Sequence, residues 1–256
     1  MQLDTLPPLI KVKVLHRPSK LIRSPYVADV LLEDGTEALC HTPGLSCCGL
    51  VSPGRYIYVS NSADKAKTDY TAQISENVDS QGTYYIGIHP MISQKMASKL
   101  LDRISQTAVW KTEVKINDHT RLDFVGTTPE GKKIYVEVKN AMISMSKELR
   151  NSRRAVFPEG FRKSKADTIS PRAVKHAETL AELKALPETQ DAYLVFIVPR
   201  DDCESGLELN KLDPTYCKAV SAAMAAGVKV RVFGLSFNEC GTIDYNKELK
   251  FYCPEV

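Results

Sequence analysis

The stretch that most constrains this chain is residues 112–140, TEVKINDHTRLDFVGTTPEGKKIYVEVKN. Two runs within it have strand character, 121–125 (RLDFV) and 133–139 (KIYVEVK). The segment between them, TTPEGK, combines Pro129 with Gly131 and predicts a hairpin turn. Strand side chains alternate between faces, so Tyr135, Glu137 and Lys139 share one face while Ile134, Val136 and Val138 take the other. Asp123 stands beside Glu137 if the hairpin register allows.

Two carboxylates and an ammonium would then converge on one patch of an otherwise apolar sheet. An unpaired buried charge costs several kcal/mol or shifts its pKa, so something must compensate it. A divalent cation is one answer. Mg²⁺ (or Mn²⁺) is held by one or two carboxylates plus waters, leaving positions for phosphate oxygens. Asp123 and Glu137 are the candidate metal ligands, with the backbone carbonyl of Val138 as a third. Lys139 could position the attacking water or neutralise charge developing on a phosphodiester. The alternative is that Glu-x-Lys marks a solvated strand face with no chemistry.

The spacing from Asp123 to Glu137 and Lys139 resembles the pattern of the PD-(D/E)XK nuclease superfamily, whose acidic residues lie on neighbouring strands. Glu113, upstream of Asp123, resembles the additional acid that many members carry.

At 256 residues the chain suits two modest domains or one large one. A net charge of +3 is compatible with a polyanionic partner and does not demand one. The seven cysteines include an adjacent pair, Cys47 and Cys48, and no Cys-x₂-Cys spacing, which argues for reduced thiols and against structural zinc. No run approaches a membrane span, and the expectation is a soluble intracellular protein with no membrane partner.

Residues 1–88 read as an all-β module. Short strand-like runs at 9–15, 26–32, 37–41, 55–60, 70–75 and 84–87 are separated by Gly and Pro turn signals. Such spacing predicts a small OB-like barrel. Basic residues such as Arg17 and Arg23, with Tyr26 interleaved, suit a single-stranded nucleic-acid groove, though about half of the module's tyrosines belong in a core. Residues 91–105 form an amphipathic helix, read as packing and linker.

Beyond the hairpin, Lys147, Arg150, Arg153, Arg154, Arg162, Lys163 and Lys165 make the densest positive cluster, equally suited to phosphate contact and to solvation. Ser170-Pro171 opens a helix, serine as N-cap and proline at the first position. Arg172 or Lys175 near its start could reach a phosphate, while His176 better suits orienting a neighbour than acting as a general base. Residues 191–199 (DAYLVFIVP) predict a strand buried on both faces. A small-residue helix at 214–226 ends at Gly227, and a strand at 228–235 follows. The order implies an α/β domain over 89–256 with a mixed sheet.

In sequence these pieces resemble the SfsA family, named for sugar fermentation stimulation protein A. The matching segments are VLHRPSKLIRSPYVADVLLEDG, TEVKINDHTRLDF, YVEVKN, FPEGF, PRAVKHAETLAEL, LVFIVPRDD and LDPTYCKAVSAAMAAGVKVRVF, covering nearly the full length. The resemblance implies an N-terminal OB-like barrel (1–88) and a C-terminal PD-(D/E)XK nuclease-like domain (89–256). It implies DNA binding, DNA in preference to RNA, and a suspected metal-dependent nuclease. Asp123, Glu137 and Lys139 fall on the motif, Glu113 on the upstream acid, and Arg121, Arg172, Lys175 and His176 on further matching positions. The chain departs from the family at His41-Thr42-Pro43-Gly44, where the pattern has His-Cys-Pro-Asn-Thr-Gly, and in extra basic residues before Arg172. Two functions therefore compete: a metal-dependent nuclease, and a nucleic-acid-binding regulatory protein without chemistry. A cysteine-based site through Cys40, Cys47 and Cys48 is the weakest reading, since these suit small buried positions.

Overall fold

The computed structural model describes residues 1–44, 47–63, 67–117, 120–144, 149–160 and 167–255. The first half is nearly all strand: β1 (Gln2–Thr5), β2 (Ile10–His16), β3 (Val27–Leu31), β4 (Glu37–His41), β5 (Tyr56–Asn61), β6 (Tyr70–Asp79) and β7 (Gly82–Gly87). Helix α1 (Pro90–Ser98) leads to β8 (Val109–Asn117), β9 (Thr120–Thr127) and β10 (Lys133–Asn140). Then come β11 (Arg154–Phe157), α2 (Pro171–Lys184), β12 (Thr189–Val198), β13 (Gly206–Leu209) and α3 (Pro214–Ala225). The chain closes with β14 (Lys229–Phe237), β15 (Thr242–Glu248) and β16 (Phe251–Tyr252). The architecture is mixed α+β, dominated by sheets.

Strands β4-β3-β2-β5-β6-β7 form one sheet, and β4 also pairs in parallel with β6 through Cys40↔Tyr70 and His41↔Thr71. The apolar side of this sheet buries Val12, Val14, Val30, Ile57, Val59 and Ile86. A seven-stranded sheet runs β1-β15-β14-β12-β10-β9-β8, with β10, β12 and β14 parallel. The first strand thus leaves the expected 1–88 module and pairs with β15, Gln2 opposite Asp244. A short parallel sheet, β11-β13-β16, flanks the larger one.

The apolar run at 191–199 becomes β12, at the centre of the large sheet and covered on both faces. Ala192, Leu194, Phe196 and Val198 pack with α2 and α3, whereas Tyr193, Val195 and Ile197 pack toward α1. Period-2 alternation explains both sets at once. The second cluster also takes in Tyr58 and Ile74 of the smaller sheet, so the two sheets share buried apolar surface.

Helix α2 starts where the sequence predicts. Ser170 Oγ accepts from Ala173 N and Pro171 occupies the first turn. Its approach is fixed by Asp213, the fully buried N-cap of α3, whose carboxylate accepts from Tyr216 N, Thr168 Oγ1 and Ile169 N at 2.7–3.1 Å. Helix α1 is shorter than the predicted 91–105, tightening to a 3₁₀ turn at Leu101–Arg103 where Leu100 and Leu101 both enter the core.

The basic cluster divides. Lys147, Arg162, Lys163 and Lys165 lie outside the described residues. Neither of the two alternatives, phosphate contact or solvation, describes Arg150, Arg153 and Arg154, which pair with acidic residues within the fold. Arg150 and Arg153 both bind Asp79 of β6, and Arg153 also binds Asp202, which in turn holds Arg200. Arg154 pairs with Glu208 and lies over the Tyr252 ring. Its strand, β11, was hidden in the sequence by these charges.

Asp202 is completely buried between two arginines that are themselves almost buried. Removing its carboxylate takes from Arg200 its ion-pair partner and from Arg153 one of its two acids, and breaking a buried pair in this way costs about 3–5 kcal/mol. Urea unfolding of Asp202→Ala is expected to show a loss of that order; a change below about 1 kcal/mol would mean that water reaches the network.

Candidate active site

The predicted hairpin forms with its turn closed by Gly131 N donating to Thr128 O, Gly131 having φ of +78°. The β9–β10 ladder runs from Lys133↔Thr127 to Val136↔Phe124 and stops there. One step further the strands part, and Val138 N donates to the Asp123 carboxylate at 2.7 Å instead of to a backbone carbonyl. Asp123 and Glu137 therefore meet where the ladder ends. The side-chain faces follow the prediction for β10: Ile134, Val136 and Val138 pack toward α1, and Tyr135 toward α2.

Glu137 is only 3% exposed. Its Oε1 is shared by Lys139 Nζ and His176 Nδ1. Arg172 Nε donates to His176 Nε2 at 3.4 Å, so Nε2 acts as the acceptor and Nδ1 carries the proton given to Glu137. Lys139 Nζ lies 3.1 Å from the same Nδ1, two donors converging on one oxygen. Glu137 Oε2 is buried and has no hydrogen-bond partner among the described residues.

The two carboxylates are driven apart electrostatically. Burial pushes the Glu137 carboxyl up, but the His176 bond and the Lys139 charge outweigh it and hold the group below its ordinary range. Burial and then the Glu137 charge push Asp123 up to about 6, against the Val138 N–H. Such separation of paired acids is common where they serve different roles.

Glu113 on β8 reaches the same corner. Gln94 Nε2 of α1 donates to its carboxylate and, at 3.1 Å, to Asp123 Oδ1. Arg121 Nη1 lies 3.8 Å from Glu113. On the other side, an open cleft of about 620 Å³ is lined by Lys115, Asn117, Thr120, Arg121, Pro171, Arg172, Lys175 and His176. It gathers Arg121, Arg172, Lys175 and His176, four residues that the sequence pattern singled out. His176, expected on the polar side of its helix, is buried against Glu137.

Arg17, Arg23 and Tyr26 lie elsewhere, at the β2–β3 connection of the smaller sheet. Arg17 donates to Thr42 Oγ1 and to the carbonyls of Pro25 and Gly44, holding the altered 41–44 loop. Arg23 and Tyr26 are exposed. All seven cysteines are free thiols, and burial pushes Cys40 up to about 12, far from a reactive thiolate. Gln94, Lys115, Asn117 and Thr120 were missed in sequence. Only Lys115 carried a signal, through its alternation with Glu113 on a polar edge strand.

The residues fit a hard divalent cation in a limited sense. Among the described residues no three His, Cys, Asp or Glu side chains form a ready metal cluster. Two carboxylates with one unpartnered buried oxygen match an ion that keeps most of its waters. The SfsA family, described as the sugar fermentation stimulation protein RE domain, matches residues 88–241.

The chain belongs to the SfsA family. A sugar fermentation stimulation protein homolog of Caulobacter vibrioides is 32% identical, covering 88% of this chain and 87% of its own. A homolog of Rhodospirillum centenum is 30% identical, covering 91% and 93%. The solved structure of Pyrococcus furiosus SfsA in complex with Ca²⁺ superposes with a TM-score of 0.76 at 23% identity, over 98% of this chain and 99% of that one. The SfsA fold therefore extends over the whole chain. No helix among the described residues is long and apolar enough to cross a membrane.

A carboxyl group whose pKa is raised on folding contributes stability that is present below its unfolded value and lost as pH rises through its folded value. For Asp123 that window runs from 3.8 to about 6. In EDTA, the stability of Asp123→Asn relative to the parent is expected to rise by roughly 2 kcal/mol between pH 4 and pH 7. A flat difference would show that Asp123 titrates normally.

Proposed function

We propose that this SfsA-family protein is a metal-dependent nuclease that hydrolyses phosphodiester bonds of nucleic acid, DNA in preference to RNA. The observation that carries the reading is the buried, unpartnered Oε2 of Glu137 beside Asp123. A buried carboxylate oxygen normally finds a partner, and one left without, beside a second acid and next to a cleft edged by cations, is suited to a ligand. Asp123 and Glu137 would hold Mg²⁺ or Mn²⁺, with the Val138 carbonyl as a third ligand and Glu113 in support. The cation supplies charge stabilisation at the phosphorus centre and lowers the pKa of a coordinated water.

The chain's own residues divide the remaining work. Lys139 and His176 hold Glu137 ionised through Oε1 and fix its rotamer, which leaves Oε2 without a protein partner among the described residues. Lys139 also places a positive charge at the reacting phosphate. Arg172 and Lys175 at the start of α2, with Arg121 across the cleft, grip backbone phosphates. The helix N-terminus adds to the attraction. The N-terminal sheet is read as the OB-like barrel of the 1–88 module, without β1, which joins the larger sheet; it adds single-stranded binding through Arg17, Arg23 and Tyr26, and 89–256 is read as the PD-(D/E)XK nuclease-like domain. For Arg17 the reading is weaker, because its donors already serve the neighbouring loop.

A second reading, a binding protein without chemistry, is favoured by one feature. Lys139 and His176 already satisfy Glu137 Oε1, giving a cluster that stands without metal. Cleavage of labelled single- and double-stranded DNA and RNA, with Mg²⁺, Mn²⁺ or EDTA, separates the two. Glu137→Ala and Asp123→Ala are expected to lower metal-dependent cleavage by at least about 10²-fold with unchanged circular dichroism. Arg172→Ala is expected to reduce the salt slope of binding by about 1. Salt-sensitive binding with no cleavage by the parent in any metal would favour the second reading.

A further inference from the structure

Helix α1 reads in sequence as a packing element, yet it sends one polar side chain into the acidic corner. Gln94 Nε2 donates to both Glu113 and Asp123. Both partners are carboxylates, so the amide nitrogen and not its carbonyl faces them. One NH₂ group has two hydrogens, and each goes to a different acid.

Glu113 itself is held in an unusual state. It sits mid-strand with φ of +52°, in the left-handed region. For an L-residue this costs roughly 1–2 kcal/mol. The β8–β9 pairs run from Thr112↔Phe124 directly to Val114↔Leu122, leaving Glu113 and Asp123 as the unpaired positions between them. Both acids are thus released from the ladder at the same point, and both turn to one amide. The electropositive NH₂ occupies the place between two negative groups that a cation would take.

Building on the metal site proposed above, we propose that Gln94 is a positioning residue that stands in for a cation. Its amide bridges Glu113 and Asp123 in the metal-free protein, and a divalent ion entering the corner displaces that amide from the Asp123 side. Gln94 sets how readily the ion enters without contacting the reacting phosphate. The physical basis is competition. A doubly charged ion interacts with two carboxylates far more strongly than a neutral amide does, but it must first break the bridge. Removing the amide leaves two acids facing each other, so the metal-free form loses stability and the ion gains a larger advantage. Replacing it with a third carboxylate extends both effects.

The test uses the full-length chain with Mn²⁺ alone as probe, read by thermal unfolding and titration calorimetry. Gln94→Ala is expected to give at least about twice the parent's Mn²⁺-induced rise in melting temperature. Gln94→Glu is expected to bind Mn²⁺ about tenfold more tightly. A parent that ignores Mn²⁺ while Gln94→Glu binds it would overturn the inference, because the added carboxylate alone would then account for binding. Affinities of both variants within twofold of the parent, or weaker binding by Gln94→Ala, would overturn it. In that case, parent binding abolished by Asp123→Ala and Glu137→Ala would leave the metal reading standing. No Mn²⁺ binding by the parent or either Gln94 variant would overturn both.

Discussion

A carboxylate as deeply buried as Glu137 can stay ionised only if cations and donors surround it, and much of the surrounding structure meets that demand. Lys139 comes from the same strand two residues on. His176 comes from α2, which must therefore begin at a fixed place and lie at a fixed height over β10. Ser170 and Pro171 fix the first turn of α2. Asp213, buried and fully bonded, ties the lead-in of α2 to the start of α3. The acid's requirement for partners is thus transmitted through two helix caps into the layering of the domain. Asp123 has only the Val138 N–H and the Lys139 charge to set against burial and the Glu137 charge, and its pKa is raised.

Much of this was legible in the sequence because the signals were local. Alternation placed Glu137 and Lys139 on one face, the apolar run at 191–199 identified β12 as buried on both sides, and Ser170-Pro171 placed the start of α2. The Gly131 turn was readable for the same reason. Other features depend on pairing across long sequence distances, which leaves no local trace. Charged edge strands such as β8 lack the apolar periodicity that marks a strand, because one of their faces needs no core. β11 was masked by Arg150 and Arg153 just before it and by its own Arg154, whose partners, Asp79 and Glu208, lie far away in the chain. Gln94 lies between Ser93 and Lys95, polar residues that bond Asn140 and Asp4, and nothing in this local sequence points to Glu113 and Asp123 as its partners.

The arginines after β10 show how charge density misleads when read alone. A run of cations near a presumed phosphate site invites a binding role. Yet Arg150, Arg153 and Arg200 alternate with Asp79 and Asp202 in a chain of ion pairs that joins the smaller sheet to the larger one. Buried ion pairs contribute little net stability compared with apolar packing, but they tolerate few alternative geometries. Their effect is to hold the two sheets in register. The cations that line the cleft come from β8, β9 and α2, where sequence clustering is weakest.

The pairing of β1 with β15 has a consequence for how the chain is made. Strand β1 is synthesised well before β15, the strand that completes its hydrogen bonds. Until β15 is made, Gln2–Thr5 has no ladder to join. Closing contacts between such distant segments is entropically costly and slow. Completion of this edge therefore follows synthesis of β15, and a chain truncated before residue 242 would carry an unpaired Gln2–Thr5 strand whatever the state of the Glu137 cluster.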